Sequence, residues 1–253
     1  MRRKSAFILF ISILIFSVVL SGCQTNRQID QNTQPEVSNS PQPTQQPQEG
    51  QDALPQEVKV DNSGEMIPDV AALAELFPKT EGYKWIYNGF AEYGHEMTLN
   101  EIVATQDKVV YTMKGEVFDM SDGESQNDFS LSVNYTITAD SVVQDKVGPM
   151  MFDVYDHIEL IRTPLEVGES WNQTVKSADG KEVNLKCTIE KVEMDGTAKV
   201  YTIVYQDTNS PFYERRVIKE GIGVIAFSRL YINEEQNFEI TYSLYEEASG
   251  YDK

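Results

Sequence analysis

Polar and apolar residues alternate along most of the chain beyond residue 66. Residues 129–138 place an apolar side chain at every second position, and residues 183–190 and 238–244 repeat the pattern. This period of two is typical of antiparallel strands that have one face on a core and the other in water. Further strand-like runs lie at residues 85–93, 98–104, 109–118, 199–205, 213–219 and 224–232.

One short segment follows the spacing of a helix instead. In residues 68–77 the apolar side chains recur at helical spacing, Pro68 stands at a helix-start position, and Pro78 ends the segment. About nine strands joined by short turns, without alternating helices, predict a mainly β domain. The open alternatives are an antiparallel sandwich, a strongly curved sheet or a barrel-like domain, each with one short N-terminal helix.

The frame P-x-x-x-G-x-x-W occurs twice, at residues 78–85 and 164–171, and contains both tryptophans of the chain. Its proline and glycine would set a turn, and its tryptophan would begin a strand that faces the core. We therefore predict two similar β halves, residues 76–160 and 161–250. Chance reuse of one turn motif would give the same pattern.

The first residues have the organisation of an export signal. Arg2, Arg3 and Lys4 precede an almost unbroken apolar run at residues 6–20. This run is shorter than the roughly 20 residues that a permanent membrane-spanning helix needs. Its basic start and its small-residue end fit a secretory signal peptide.

The run ends in Leu20-Ser21-Gly22-Cys23, which resembles the lipobox of bacterial lipoproteins. The resemblance implies that the Cys23 thiol carries a diacylglyceryl group and that residues 1–22 are removed as a signal peptide. Two acyl chains, such as palmitate, hold a protein stably on a bilayer where one chain is marginal. The mature protein would then sit on the extracytoplasmic face of the cell membrane. An ordinary secretory signal with a chance cysteine, or an uncleaved anchor, is the alternative.

The segment after Cys23 has the composition of a spacer. Ten of residues 24–60 are Gln, five are Pro and none is aromatic. Such a segment cannot bury enough apolar surface to order itself, so residues 23–60 are predicted to be a lipidated cysteine and a disordered tether. Its root-mean-square reach would be on the order of 30–35 Å. The extracytoplasmic β-rich domain is then residues 61–253.

The two tryptophan frames and the phrase at residues 220–225, EGIGVI, resemble β-rich surface lipoproteins of Gram-positive bacteria. These motifs consist of turns and strands and carry no chemistry. The resemblance therefore implies a fold and a location, and it implies nothing about an activity.

The charge of the chain excludes one class of partner. Acidic residues outnumber basic ones by 40 to 21, which gives a formal net charge of -19. Because so negative a surface repels phosphate backbones, nucleic acid is not an expected partner. Two cysteines also exclude a disulfide scaffold and a four-cysteine zinc site.

Candidate catalytic side chains are few. His95 and His157 belong to no metal-binding motif, and each is interpreted as a surface or half-buried imidazole. Cys187 lies on the apolar face of a strand, where a buried thiol is unreactive, so it is assigned to the core. The usual acyl-transfer and phosphoryl-transfer motifs do not occur. The sequence therefore predicts no catalytic residue, no metal site and no cofactor.

Two weaker ligand candidates remain. The oxygen-rich loop at residues 119–128 could hold Ca²⁺, although it lacks the spacing of a helix-loop-helix calcium site and is interpreted as a solvated hairpin loop. Six tyrosines gather toward the C-terminus and could pave a sugar or peptide groove, or simply span core and rim. They are Tyr201, Tyr205, Tyr213, Tyr231, Tyr242 and Tyr245.

Three functions are compatible with these features. The favoured one is a non-enzymatic, membrane-anchored lipoprotein whose β domain binds or supports another envelope component, which could be a protein, peptide, glycan or lipid. The second is a carrier of a lipid or another hydrophobic ligand in a β cavity, suggested by runs 200–205 and 224–227, which are apolar on both faces. The third is a carboxylate-dependent hydrolase of wall polymers.

Overall fold

The structure, a computed structural model, describes residues 66–233 and 236–252. The predicted signal peptide, Cys23 and the tether lie outside these residues. Among the residues described, no helix is long and apolar enough to cross a membrane. The elements are the helix α1 (Pro68–Ala74) and the strands β1 (Lys84–Gly89), β2 (Gly94–Ala104), β3 (Val109–Val117), β4 (Ser130–Ile137), β5 (Ser141–Val147), β6 (His157–Arg162), β7 (Ser170–Lys176), β8 (Glu182–Asp195), β9 (Ala198–Asp207), β10 (Tyr213–Lys219), β11 (Gly223–Ile232) and β12 (Asn237–Leu244).

The twelve strands form one antiparallel sheet in the order β6-β5-β4-β3-β2-β1-β12-β11-β10-β9-β8-β7. Each group of six consecutive strands is a meander, and the two meanders join where β1 pairs with β12, with Tyr87 opposite Leu244. The sheet curls into a nearly closed, barrel-like shape. This confirms the predicted mainly β, antiparallel class and selects the barrel-like alternative. The sheet edges β6 and β7, consecutive in the chain, face each other across a seam.

The strand count predicted from the alternation was too low. Strands β5, β6 and β7 were not predicted, and β1 ends at Gly89 rather than at residue 93. The reason is that polar side chains occupy the inward positions of two of these strands. Gln144 and Lys146 on β5 are buried, and Gln173 on β7 is half-buried. These side chains remove the apolar alternation by which a strand is recognised.

The two tryptophan frames occupy corresponding places in the two meanders. Trp85 is the second residue of β1 and pairs with Met97 on β2, and Trp171 is the second residue of β7 and pairs with Cys187 on β8. A β-bulge follows in each second strand, after Leu99 on β2 and after Ile189 on β8. The similarity of the two halves as whole units stays a prediction.

One end of the sheet, here called the α1 end, is covered by the helix. The Ile67 N–H donates to the Gln106 carbonyl in the β2–β3 turn (3.1 Å), and the Gly221 N–H in the β10–β11 turn donates to the Glu75 carbonyl (2.8 Å). These turns belong to opposite meanders, so α1 crosses the opening between them. Met66, the first described residue, therefore lies at this end of the sheet.

Phe77 fills the α1 end from below the helix. Its ring centroid lies 5.5 Å from that of Tyr111 and 4.9 Å from that of Tyr135. Gly223 makes room for it, because a Cβ there would lie 3.0 Å from the Phe77 ring and the backbone φ is +89°. A side chain at residue 223 would therefore be both strained and crowded.

The opposite end is crossed by residues 148–156, which connect β5 to β6 and are here called the strap. Phe152 of the strap stacks on Tyr93 with ring centroids 3.8 Å apart. The rings of Tyr155 and Phe212 pack edge-to-face, with centroids 6.3 Å apart. The strap therefore packs against both meanders, and we call this end the strap end.

Candidate functional site

Arg216 lies inside the sheet and holds two carboxylates. Its Nη1 donates to Glu214 Oε2 at 2.9 Å, and its Nη2 donates to Asp153 Oδ2 at 3.3 Å. All three side chains are at most 2% exposed. Burial without such partners would cost several kcal/mol per ion, so this set of charges is stable only as a unit. We call it, with Lys146 and Gln144, the charge network.

Aromatic rings complete the surroundings of the guanidinium. Its Cζ atom lies 5.1 Å from the ring centroid of Tyr205 and 5.2 Å from that of Phe227. Cations are attracted to the faces of such rings, most strongly where water is excluded. Burial raises the pKa of the Tyr205 hydroxyl, so the ring beside the cation stays neutral.

The charge network anchors the strap. Glu214 Oε1 accepts the Val154 N–H at 2.8 Å. Lys146 Nζ donates to the Asp153 carbonyl at 3.2 Å and to Asp156 Oδ1 at 2.9 Å. Gln144 Nε2 donates to Asp153 Oδ2 at 3.3 Å. The network thus joins β5 and β10 to three residues of the strap, Asp153, Val154 and Asp156, and holds the strap on the sheet.

His95 is buried beside this network, which corrects the expectation of a surface or half-buried imidazole. It is 1% exposed, stacks on Tyr87 at 4.4 Å and meets Tyr242 edge-on at 4.9 Å. The Tyr93 hydroxyl lies 3.0 Å from its Nδ1. Burial lowers the pKa of His95 to about 4, with Asp153 opposing the shift. The ring is therefore neutral at pH 7.

The interior of the sheet is almost completely filled. The cavity beside the charge network has a volume of about 10 Å³, which is about the space that one water molecule needs. Its walls include Tyr87, His95, Tyr135, Gln144, Arg216 and Tyr242. Large aromatic side chains and the charge network thus occupy the volume that a carrier of this shape would keep open.

Cys187 lies in the core, where the sequence placed it. It is fully buried, and the Gln173 amide donates to its Sγ at 3.1 Å. Burial raises the pKa of the thiol to about 12, and the bond from Gln173 opposes this. A thiol of this kind is a poor nucleophile at neutral pH.

The other predicted candidates do not converge on a site. His157 is exposed and lies 2.6 Å from Asp145 Oδ1. In the loop after β3, Asp119 Oδ1 accepts the N–H and the hydroxyl of Ser121, and Asp128 Oδ1 accepts the Ser130 N–H. Within residues 66–233 and 236–252 no three His, Cys, Asp or Glu side chains gather closely enough to hold a metal ion.

The C-terminal tyrosines are divided between the interior and the surface. Tyr201, Tyr205 and Tyr242 are at most 5% exposed, whereas Tyr231 and Tyr245 are more than 40% exposed. These residues do not line one common groove. The three buried tyrosines are core residues, and the two exposed ones are separate surface residues.

An open apolar groove of about 480 Å³ lies at the strap end, beside the strap. We call it the Met/Phe groove. Its walls come from the Phe90–Glu92 turn after β1, the β3–β4 loop and the strap. The apolar residues that line it are Tyr93, Phe118, Met120, Phe129, Met150 and Phe152.

A second open groove of about 380 Å³ lies across the strap from the first one. Val154 and Tyr155 of the strap form one wall, and Val183 and Phe212 form the other. Asp179 and Asp207 also line it. The strap therefore separates two apolar depressions at the same end of the domain.

Sequence reasoning missed the charge network and both grooves. Glu214 and Arg216 alternate with Tyr213, Arg215 and Val217, so the strand gives no local sign that its charged face is the inner one. A usable signal lies elsewhere, in the strap sequence GPMMFDVYD, where the first of two acids, Asp153, stands between the bulky apolar residues Phe152 and Val154.

Comparison with known proteins gives little further information. No family model matches the chain, and no curated protein matches it. Two solved structures are similar. A candidate lipoprotein from Parabacteroides distasonis has 12% identity and a TM-score of 0.38, over 67% of this chain and 96% of that one. A candidate exported protein with a YmcC-like fold from Bacteroides fragilis has 12% identity and a TM-score of 0.40, over 66% and 96%. At this similarity, function is argued from the residues of this chain.

Proposed function

We propose that this chain is a lipid-anchored, extracytoplasmic and non-enzymatic binding protein. In this proposal Cys23 carries the lipid, residues 24–60 form the spacer, and the β domain presents a binding face to another component of the cell envelope. The proposal requires no metal and no cofactor.

One observation carries the proposal: the first described residues and the two grooves beside the strap lie at opposite ends of the domain. The described chain begins at Met66, next to the α1 end, whereas both grooves flank the strap. Strands of six to fourteen residues separate the two ends, at about 3.3 Å per residue. A domain tethered in this way can turn its grooves away from its own anchor, toward a partner.

The carrier alternative is less well supported. It needs an enclosed apolar cavity, whereas the cavity beside the charge network has a volume of about 10 Å³. Enclosed drug-sized ligands need pockets of roughly 300–1,000 Å³. To take cargo inside, the strap would have to break the bonds of Asp153 and Val154 to Arg216 and Glu214.

The hydrolase alternative is also less well supported. A glycoside hydrolase needs two carboxyl groups that flank the substrate in a cleft. The two carboxylates inside this domain, Asp153 and Glu214, are buried and already bound to Arg216.

The anchor is tested by expressing the full chain and a Cys23→Ser variant in a bacterium and separating membranes from soluble proteins. We expect the wild-type chain in the membrane fraction, with an N-terminal cysteine that carries a diacylglyceryl mass. The variant should lose that mass and leave the membrane. Retention of an unlipidated wild-type chain would refute the anchor.

The binding role is tested by native mass spectrometry of the chain from residue 23 onward, carrying Cys23→Ser and purified without detergent. A bare mass is the expected result, because the interior is filled. An adduct of several hundred daltons (on the order of a lipid) that is lost on denaturation would favour the carrier and contradict the proposal.

A further inference from the structure

We infer that the Met/Phe groove is a docking site for a basic amphipathic segment of a partner polypeptide. This inference rests on the proposed function and names its partner class.

The floor of the groove exposes large, adaptable apolar side chains. Met120 is 58% exposed and Met150 is 37% exposed, and Phe118 and Phe152 also line the groove. Methionine side chains adjust to different apolar surfaces and are common where proteins bind varied peptides. The floor therefore fits apolar side chains of a partner.

The charge around the groove has a single sign. Acidic residues stand along the turn after β1 and the β3–β4 loop. They are Glu92, Asp119, Asp122, Glu124 and Asp128. No Lys or Arg occurs at residues 85–107, at residues 115–145 or in the strap. We call these five acidic residues the acidic rim. The acidic rim attracts cationic side chains and repels anionic ones.

The wall of the groove is built from strained backbone. Ala91 and Glu92 follow each other with φ of 53° and 63°, a region that non-glycine residues rarely adopt. A bond from the Gly89 N–H to the Tyr93 carbonyl, at 2.7 Å, closes this turn. Backbone strain of this kind clusters at functional sites.

These features favour a polypeptide over a lipid surface. The acidic residues around the groove repel anionic head groups, and the groove lies at the opposite end of the domain from the first described residue, Met66. The groove is open along one side, so an acyl chain in it would stay partly in water. A basic amphipathic segment satisfies both parts of the site, because its apolar face covers the floor and its cations meet the rim.

The test uses the chain from residue 23 onward, carrying Cys23→Ser, and two fluorescein-labelled peptides with the same spacing. One peptide alternates Leu with Lys and the other alternates Leu with Glu. Fluorescence anisotropy should show that the Leu/Lys peptide binds. Added salt should weaken this binding, because the charges around the groove are exposed and are screened. Equal binding of the Leu/Glu peptide would overturn the assignment of a basic partner.

Two matched pairs of variants locate the binding site. Met120→Gln in the groove is compared with Met194→Gln, because Met194 is similarly exposed (62%) on β8. Glu124→Lys on the rim is compared with Glu166→Lys, an exposed acid in the β6–β7 connection at the α1 end. The groove variants should each weaken Leu/Lys binding about tenfold, which corresponds to about 1.4 kcal/mol. The two controls should leave it within about twofold.

Other outcomes overturn the inference while leaving the proposed function intact. Equal effects of Met120→Gln and Met194→Gln, or no effect of either, would remove the groove as the docking site. Phosphatidylglycerol vesicles that bind the chain in a Met120-dependent manner would make the groove a membrane surface instead. The lipid on Cys23 and the native mass are measured independently of peptide binding. Failure of the proposed function can therefore be distinguished from failure of the docking inference.

Discussion

The side-chain amide of Gln173 on β7 pairs with both backbone groups of Glu159 on β6. Its Nε2 donates to the Glu159 carbonyl at 2.9 Å, and its Oε1 accepts the Glu159 N–H at 2.9 Å. The amide thus replaces a neighbouring strand at the seam, where the two sheet edges face each other. Unpaired edges invite pairing with other chains, so Gln173 closes the seam at this point.

Replacing Gln173 by Leu should weaken the seam. Both bonds to Glu159 would be lost and two backbone groups would be left without partners, so the free energy of unfolding should fall by about 1–3 kcal/mol. Urea denaturation measures this change, and faster hydrogen exchange of the Glu159 amide would localise it.

The control for this change is Asn172→Ala, on the neighbouring exposed position of β7. It should alter the free energy of unfolding by less than about 0.5 kcal/mol. Equal destabilisation by both variants would show that the seam bond has no special role.

Replacing Arg216 by Met should strongly destabilise the domain. The substitution leaves the buried Glu214 without its cation and leaves Asp153 with Lys146 alone, and breaking a buried ion pair in this way typically costs about 3–5 kcal/mol. Adding Glu214→Gln keeps an acceptor for the Val154 N–H and removes one of the buried charges. The double variant Arg216→Met, Glu214→Gln should therefore recover part of the lost free energy of unfolding. Chemical denaturation of the three proteins gives the comparison.

Arg215→Met is the matched control, because Arg215 is the next residue and its guanidinium pairs with Glu239 at the surface. Exposed pairs of this kind contribute about 0–1 kcal/mol. A loss at residue 215 as large as that at residue 216 would contradict the role given to the charge network.

The buried His95 should make the domain less stable in mild acid. Its pKa is about 4 in the folded chain and about 6.5 when unfolded, so between these values the unfolded state takes up the proton and the folded state does not. The contribution of the neutral His95 to the free energy of unfolding is thus fully present above pH 6.5. It is lost as the pH falls toward 4, by about 3 kcal/mol in total.

Denaturation at several pH values, with the wild type, His95→Gln and His157→Gln, tests this dependence. The exposed His157 serves as the control, since its replacement should leave the wild-type profile between pH 6.5 and 4 in place. If the free energy of unfolding of His95→Gln falls with pH as steeply as that of the wild type, groups other than His95 cause the pH dependence. An imidazole NMR titration gives the pKa of His95 directly.

Cys187 should resist alkylation in the folded protein. Its thiol is fully buried and its pKa is raised to about 12, so very little thiolate is present at pH 8. With Cys23→Ser in the background, iodoacetamide should modify Cys187 only after denaturant is added. Rapid labelling of the native chain would show that this part of the core opens easily.

The sequence alone determined the class of the fold, because strand alternation is a local property. Residues 129–138 and 238–244 show which side chains face the core, whatever their neighbours are, and the structure places β4 and β12 there. The position of Cys187 in the core followed from the same alternation. The export signal and the lipidation of Cys23 are also inferred from local sequence, and they remain predictions.

Only the tertiary structure decided how the inside of the sheet is filled. The charges of Glu214 and Arg216 are tolerated inside because Asp153 and the Val154 N–H, about 60 residues earlier in the chain, meet them there. The closure of the seam likewise depends on Gln173 meeting Glu159. A buried polar group is stable only with its partner, and partners so distant in sequence are brought together by the closing of the sheet.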